Sequence, residues 1–281
     1  MNTQADGTLT GSTGRLYWRA WKPAMGPARA LIVLAHGYAE HIGRYEHVAT
    51  YFAASGYAFY AFDQVGHGKS EGKRGHINAF ADYLVDLKRF IAFGQGREPG
   101  LRTFLLGHSM GGLVSLAYAV PQPAELRGII VSAPALRLAM RVPAWKRGLG
   151  KALSGVVPSL AMANGIPSEF LTHDPAISGA YARRDPLIFK TATARYADEF
   201  FRAQADTLAA APRFTHPCLL MHGGDDRIAS PEGTRQFHAA AGSADKTLKI
   251  YDGFYHEIFN EIGKERVFED AGSWLEQHVT A

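Results

Sequence analysis

The stretch Arg102-Thr-Phe-Leu-Leu-Gly107-His108-Ser109-Met110-Gly111-Gly112-Leu-Val114 decides the fold. An apolar run, Arg102 to Leu106, reads as a buried strand, and Gly111 to Val120 reads as a helix. Between them lies Gly107-x-Ser109-x-Gly111, a pattern that puts a serine on a sharp strand-to-helix turn. The backbone there is strained, so the residues two away on either side must be small. The turn also sets Ser109 at the positive end of the following helix, where a developing oxyanion is stabilised. Ser109 is therefore a candidate nucleophile.

Working outward, the same rhythm repeats. Strands are expected at Arg15 to Trp21, Ala30 to Leu34, Tyr57 to Phe62 and Leu126 to Ser132. Helices are expected at Tyr45 to Ser55 and Ile77 to Phe93. Short apolar strands alternating with helices mean a mostly parallel sheet covered on both faces. From about Leu136 to Ala205 the rhythm breaks, with no clear strand and frequent Gly and Pro. One helix in that stretch puts Trp145, Leu149, Ala152, Leu153 and Val156 on a single face, with Lys146, Arg147 and Lys151 elsewhere. The rhythm then returns with a strand at Cys218 to His222, a helix at Pro231 to Ala241, a strand at Thr247 to Tyr251 and a terminal helix at Glu265 to His278. The expected architecture is an α/β core, residues 1–135 and 206–281, with a helical cap at 136–205.

This layout selects partners for Ser109. His256 follows the last strand in the loop Asp252-Gly-Phe-Tyr-His256 and can reach the serine across the C-terminal edge of the sheet. Asp226 follows the strand Leu219-Leu-Met-His-Gly-Gly and is the candidate acid that orients His256. Asp225 adjoins it, and position alone barely separates the two. Two backbone N–H groups are needed for an oxyanion: Met110, directly after the serine, and Tyr38, in the loop after the second strand. His36 is placed to brace that loop. His36 and His41 find no third ligand at convincing spacing, so no metal site is expected, and the chemistry needs no cofactor.

Composition narrows the classes. The chain has 281 residues, 47% hydrophobic and 20% charged, with a formal net charge of +4. That excludes intrinsic disorder and leaves room for one large core. The single cysteine, Cys218, excludes a disulfide framework. No stretch approaches the roughly 20 apolar residues of a membrane span, and no signal-peptide run is seen, so a cytoplasmic protein is expected. The pI of 9.1 comes with no basic–aromatic stripe, so nucleic acid is not an expected partner. The excess is local: residues 137–190 hold eight Lys and Arg against three Asp and Glu.

Four motifs carry a family resemblance: His36-Gly-Tyr-Ala-Glu40-His41 with Gly43-Arg-Tyr45; Asp63-Gln-Val-Gly-His-Gly68-Lys-Ser70-Glu-Gly72; Gly107-His-Ser-Met-Gly-Gly112; and Lys246-Thr-Leu-Lys-Ile-Tyr251 leading to His256. From about Leu31 to Leu275 the chain resembles the monoacylglycerol lipases and lysophospholipase-like enzymes of the α/β-hydrolase superfamily. The order Ser109, Asp226, His256 is also the one expected of that fold. The resemblance implies hydrolysis of monoacylglycerols to glycerol and fatty acid, with Ser109, Asp226 and His256 as triad and Tyr38 and Met110 as oxyanion donors. It favours Asp226 over Asp225, since the family's acid directly precedes an Arg, here Arg227. It places Glu40 and His41 in the region that holds the glycerol end. It also makes residues 136–205 a lid, whose basic excess becomes a handle for a membrane or micelle surface. Many relatives have a small residue where this chain has Tyr38, whose ring could wall a pocket. General esterase or lysophospholipase activity is the alternative, and a monomer or weak dimer the expected state.

Overall fold

The computed structural model describes residues 3–140, 142, 144–183 and 185–280. An eight-stranded sheet is built from β1 (Thr3–Thr10), β2 (Arg15–Lys22), β3 (Leu31–Ala35), β4 (Ala58–Phe62), β5 (Thr103–His108), β6 (Leu126–Ser132), β9 (Cys218–Gly223) and β10 (Lys246–Tyr251), in the order β1-β2-β4-β3-β5-β6-β9-β10. The β1 and β2 strands form an antiparallel hairpin that joins β4 antiparallel. From β4 to β10 every pairing is parallel. The expected strands all lie in this sheet. The edge strand β1 is an addition, because Thr-Gln-Ala-Asp-Gly-Thr-Leu-Thr has no apolar alternation and its side chains stay largely exposed.

All residues of β3, β4 and β5 are buried, as expected of strands covered on both faces. Alternation along β3 divides the core. Leu31 and Val33 pack with α2 (Phe80–Arg97), α3 (Met110–Ala119) and Phe237 of α7 (Pro231–Ala240). Ile32 and Leu34 pack with α1 (Glu46–Ala54) and α8 (Glu265–Thr280), through residues such as Phe52, Val267 and Trp274. From β3 the chain runs to its neighbour β4 on one side and then returns to β5 on the other. The order therefore reverses around β3, and a crevice opens where the loops leaving β3 and β5 diverge.

Between β6 and β9 lie α4 (Ala144–Val156), β7 (Ala161–Ala163), α5 (Pro175–Arg183), β8 (Thr191–Thr193) and α6 (Ala194–Ala210). Two features differ from expectation. β7 and β8 form a small antiparallel ribbon where no strand was read. Three residues of Ala, Met and Thr are too short to show a period. The expected boundary at 205 falls inside α6, which packs against α2 and α3 on the core side and α4 on the other. This helix starts at Thr193, whose hydroxyl accepts the Tyr196 N–H at 3.3 Å, an N-cap bond.

The apolar face read on α4 is not sunk into the core. Leu153 is half-buried, whereas Trp145 is 66% and Val156 83% exposed. Lys151 is exposed, and the side chains of Lys146, Arg147 and Leu149 lie outside the described residues. Among the described residues no helix is long and apolar enough to cross a membrane.

Candidate active site

Ser109 sits between β5 and α3 with φ 53° and ψ −116°, a left-handed backbone that an L residue adopts only when its surroundings enforce it. The enforcement is close packing. A Cβ on Gly111 would lie 2.0 Å from the Ala35 carbonyl oxygen, and one on Gly107 would lie 2.4 Å from Ser115 Oγ. Only glycines let α3 lie this tightly on β3 and β5. The Ser109 N–H donates to Ser132 O at 3.0 Å, and Ser109 O accepts from Leu113 and Ala135, which clamps the turn on both sides.

His256 is buried and lies with Nε2 2.8 Å from Ser109 Oγ and Nδ1 2.7 Å from Asp226 Oδ2. A carboxylate only accepts, so Nδ1 carries the ring hydrogen and Nε2 accepts from the serine hydroxyl. Asp226 is buried and Asp225 exposed, which separates two residues adjacent in sequence. Asp226 Oδ1 takes the Ile228 and Ala229 N–H groups at 2.8 and 3.0 Å. Asp225 contributes its backbone instead, donating to Phe254 O at 3.0 Å and so tying the acid loop to the base loop. The two loops can meet because a Cβ on Gly223 would lie 2.0 Å from Tyr255 O.

Burial opposes charge on both partners, yet each holds the other. Burial alone would depress His256, but the Asp226 charge and hydrogen bond outweigh it and raise it above its ordinary value, helped by Glu257 and Glu40. Burial alone would raise Asp226, but the charge on His256 and bonds from His222 and His256 hold it well below the usual carboxylate range. His108, whose ring is tilted against that of His256 at 4.9 Å, is pushed down to about 4 by burial and then by the charge on His256. It stays neutral while His256 titrates.

Met110 opens α3, so its N–H lies at the helix N-terminus beside Ser109. Tyr38 lies across the crevice in the loop after β3. That loop is set by Glu40, whose Oε1 accepts the Gly37 N–H at 2.5 Å and the Tyr45 hydroxyl at 2.6 Å. A Cβ on Gly37 would lie 2.6 Å from Glu40 Oε1 and 3.3 Å from Ser109 Cβ, so the loop lies tight against both. Ala39, at φ 61°, puts a left-handed residue in this loop as well. His36 accepts the Gln64 N–H on Nε2 at 2.9 Å and donates from Nδ1 to Gly37 O at 2.7 Å, bracing the loop from beneath.

Glu40 and His41 go separate ways. Glu40 is buried and lines a small pocket beside Ser109, where Arg44 bridges it to Glu257 with contacts of 2.7 Å. Burial would raise the Glu40 carboxyl, but Arg44, followed by His108 and His36, brings it to about 2. His41 turns away and pairs with Asp185 of the cap at 2.6 Å, lining neither cavity at Ser109. Arg44 and Glu257 were missed in the sequence. Arg44 lies within a quoted motif, but only the fold brings it to Glu257, 213 residues away.

Two cavities meet at Ser109. One, of about 770 Å³, runs under the cap between α4 and α6 and is lined mainly by apolar groups, among them Met110, Leu138, Leu153, Phe200 and Phe201. The other, of about 30 Å³, has a mixed lining: Glu40, Arg44, His108 and Glu257 face Ile166, Leu171 and Ile228 across it. Tyr38 lines both. Its ring stacks on Tyr196 at 4.3 Å and its hydroxyl donates to Thr191 O at 2.6 Å, so it walls the junction and touches the cap. Among the described residues no cluster of His, Cys, Asp and Glu could hold a metal ion.

Residues 26–263 match the hydrolase family described as "Serine aminopeptidase, S33". The chain is 34% identical over 280 residues to a protein of Mycolicibacterium smegmatis named monoacylglycerol lipase, covering 99% of both. It is 34% identical to human monoglyceride lipase over 268 residues, 94% of this chain and 88% of that one. Among solved structures, the monoacylglycerol lipase of Paleococcus ferrophilus superposes with a TM-score of 0.85 at 33% identity, over 94% of this chain and 99% of that one. The fold and the elbow define a serine hydrolase of the α/β-hydrolase class. Within that class, the chain belongs to the family that includes the monoacylglycerol lipases.

Replacing Asp226 by Asn should lower kcat by about 10⁴-fold, since the amide favours the wrong His256 tautomer. Asp225→Asn should leave kcat within about twofold, as expected for an exposed side chain; steady-state ester hydrolysis compares them. The pH profile carries a second expectation. Turnover requires neutral His256, whose value is raised, so log(kcat/KM) should climb with pH and level off around a midpoint above about 6.5. A midpoint at or below that value would contradict the Asp226–His256 coupling.

Proposed function

We propose that this protein is a serine hydrolase that cleaves monoacylglycerols to glycerol and a free fatty acid. The observation that carries this reading is the pair of unequal cavities meeting at Ser109. The large apolar one has the size of a small-molecule site and suits one acyl chain. The small one leaves no room for a second chain, which disfavours di- and triacylglycerols, and the charged groups along its edge, Glu40, Arg44 and Glu257, suit contact with a glycerol hydroxyl.

In this mechanism His256 takes the Ser109 proton as Oγ attacks the ester carbonyl. The Tyr38 and Met110 N–H groups receive the oxyanion. His256 then protonates the leaving glycerol, and water activated by the same base releases the fatty acid from the acyl-enzyme. Glu40 acts here by holding Gly37, and so the adjacent Tyr38 amide, in place. Its Arg44 bridge to Glu257 links the oxyanion loop to the base loop. The same pairing argues against an aminopeptidase, the activity in the family's description. A free substrate amine needs an available carboxylate, and the two beside Ser109 are already held by Arg44.

The cap, residues 136–205 with α6 as its base, is read as the lid over the acyl cavity. Trp145 on the cavity rim and Val156, Val157 and Leu160 beyond it expose apolar surface, and Lys151 lies on the same helix as Trp145 and Val156. That combination suits peripheral contact with a lipid surface that delivers the substrate.

Turnover should be greatest on monoacylglycerols, lower on lysophospholipids and p-nitrophenyl esters, and near background on di- and triacylglycerols. Ser109→Ala should lose turnover by several orders of magnitude while staying folded. Activity equal on mono- and diacylglycerols would overturn the cavity argument. For the lid, Val156→Asp combined with Val157→Asp should weaken sedimentation with vesicles and raise KM for vesicle-borne monoacylglycerol several-fold. Hydrolysis of water-soluble p-nitrophenyl butyrate should be unchanged.

A further inference from the structure

Asp226 accepts two imidazole N–H groups. His222, in β9, is wholly buried, with Nε2 3.0 Å from Asp226 Oδ2 and 3.1 Å from Ala229 O. Its Nδ1 lies 2.7 Å from the hydroxyl of Thr234, a buried residue of α7. A carbonyl oxygen can only accept, so Nε2 carries a hydrogen, shared between Ala229 O and Asp226 Oδ2. That carboxylate oxygen is the one that takes Nδ1–H of His256 at 2.7 Å. The other oxygen, Oδ1, is already filled by two backbone N–H groups.

We propose that His222 is a positioning residue for the hydrolysis: it locks the Asp226 carboxylate in the rotamer that faces His256 and keeps its charge from drawing the proton off that ring. The argument is geometric. With Oδ1 held by the chain and Oδ2 held by His222, the carboxylate cannot turn as His256 gains and loses charge, so its orientation costs nothing during the reaction. Shared negative charge on Oδ2 also makes Asp226 a weaker competitor for the Nδ1 proton, which must stay on His256. Thr234 holds the Nδ1 side of the His222 ring, while the Ala229 carbonyl fixes the hydrogen on Nε2. His222 reaches His256 through Asp226. Among the described residues, the other titratable or charged groups around His256 are Glu257 beside it, His108 at the end of β5, and Glu40 with Arg44 from the loop after β3.

The inference rests on Asp226 being the acid of the proposed ester hydrolysis, and the test separates the two ideas. Wild type, His222→Leu, His222→Gln, Thr234→Val and Ser109→Ala are compared for p-nitrophenyl butyrate turnover across pH, with thermal melting by circular dichroism. His222→Leu should lower kcat about 10- to 100-fold, the worth of a hydrogen bond to a charged group, with KM changed less than about twofold. Its acid limb should move up by at least about half a pH unit, since the Asp226 charge is no longer shared. His222→Gln, which offers an amide N–H where Nε2 stood, should keep kcat within about threefold of wild type. If His222→Leu does not fold, Thr234→Val carries the test and should move the acid limb in the same direction. A folded His222→Leu with wild-type kcat and acid limb, an unshifted Thr234→Val where that variant carries the test, or a Gln variant as impaired as the Leu one would overturn the proposal. Full turnover by Ser109→Ala would instead overturn the hydrolase reading itself.

Discussion

The structure depends on the approach of α3 to the ends of β3 and β5. That approach brings the Gly111 Cα close to the Ala35 carbonyl and leaves Ser109 in a left-handed turn. The candidate catalytic groups are arranged around that turn. The serine hydroxyl projects above the sheet edge, the α3 N-terminus lies beside it, and the loop after β3 faces it across the crevice. A larger residue at Gly107 or Gly111 would run into backbone and push α3 off the sheet edge, a displacement that costs catalysis heavily.

A second layer of polar contacts keeps the loops from drifting. Glu40 holds Gly37, Arg44 bridges Glu40 to Glu257, and Asp226 is saturated by two backbone amides and two imidazoles. These groups are buried, so each would be costly if left unpaired, and the pairing is complete enough to make the arrangement rigid. The same pairing sets charged groups along one wall of the small cavity beside Ser109. The acyl side is roomy because the cap spans it with α4 resting on α6 rather than filling it.

Much of this was readable from local pattern. Strands covered on both faces, such as Leu31 to Ala35 and Thr103 to His108, are continuous apolar runs, and the elbow is a motif whose glycines have a steric reason. The placement of His256 and Asp226 followed from their positions after late strands. Strand β1 was not readable, because an exposed edge strand needs no apolar face. The ribbon of β7 and β8 was not, because three-residue strands carry no period. The face of α4 was readable as amphipathic but not as exposed, since periodicity names a face and not its neighbour.

The sequence by itself determined the layered α/β architecture, the serine turn and the chain order of the candidate nucleophile, acid and base. These depend on contacts between residues close in the chain or on the two-residue and 3.6-residue periods of strands and helices. Only the tertiary structure decided that Asp226 is buried while Asp225 is exposed, that His41 turns to Asp185 rather than to the pocket, and that Arg44 meets Glu257. It alone placed His222 behind the acid. Those outcomes depend on which groups lose contact with water and which side chains the turns bring together, from four residues apart for His222 and Asp226 to 213 for Arg44 and Glu257, and no local period records that.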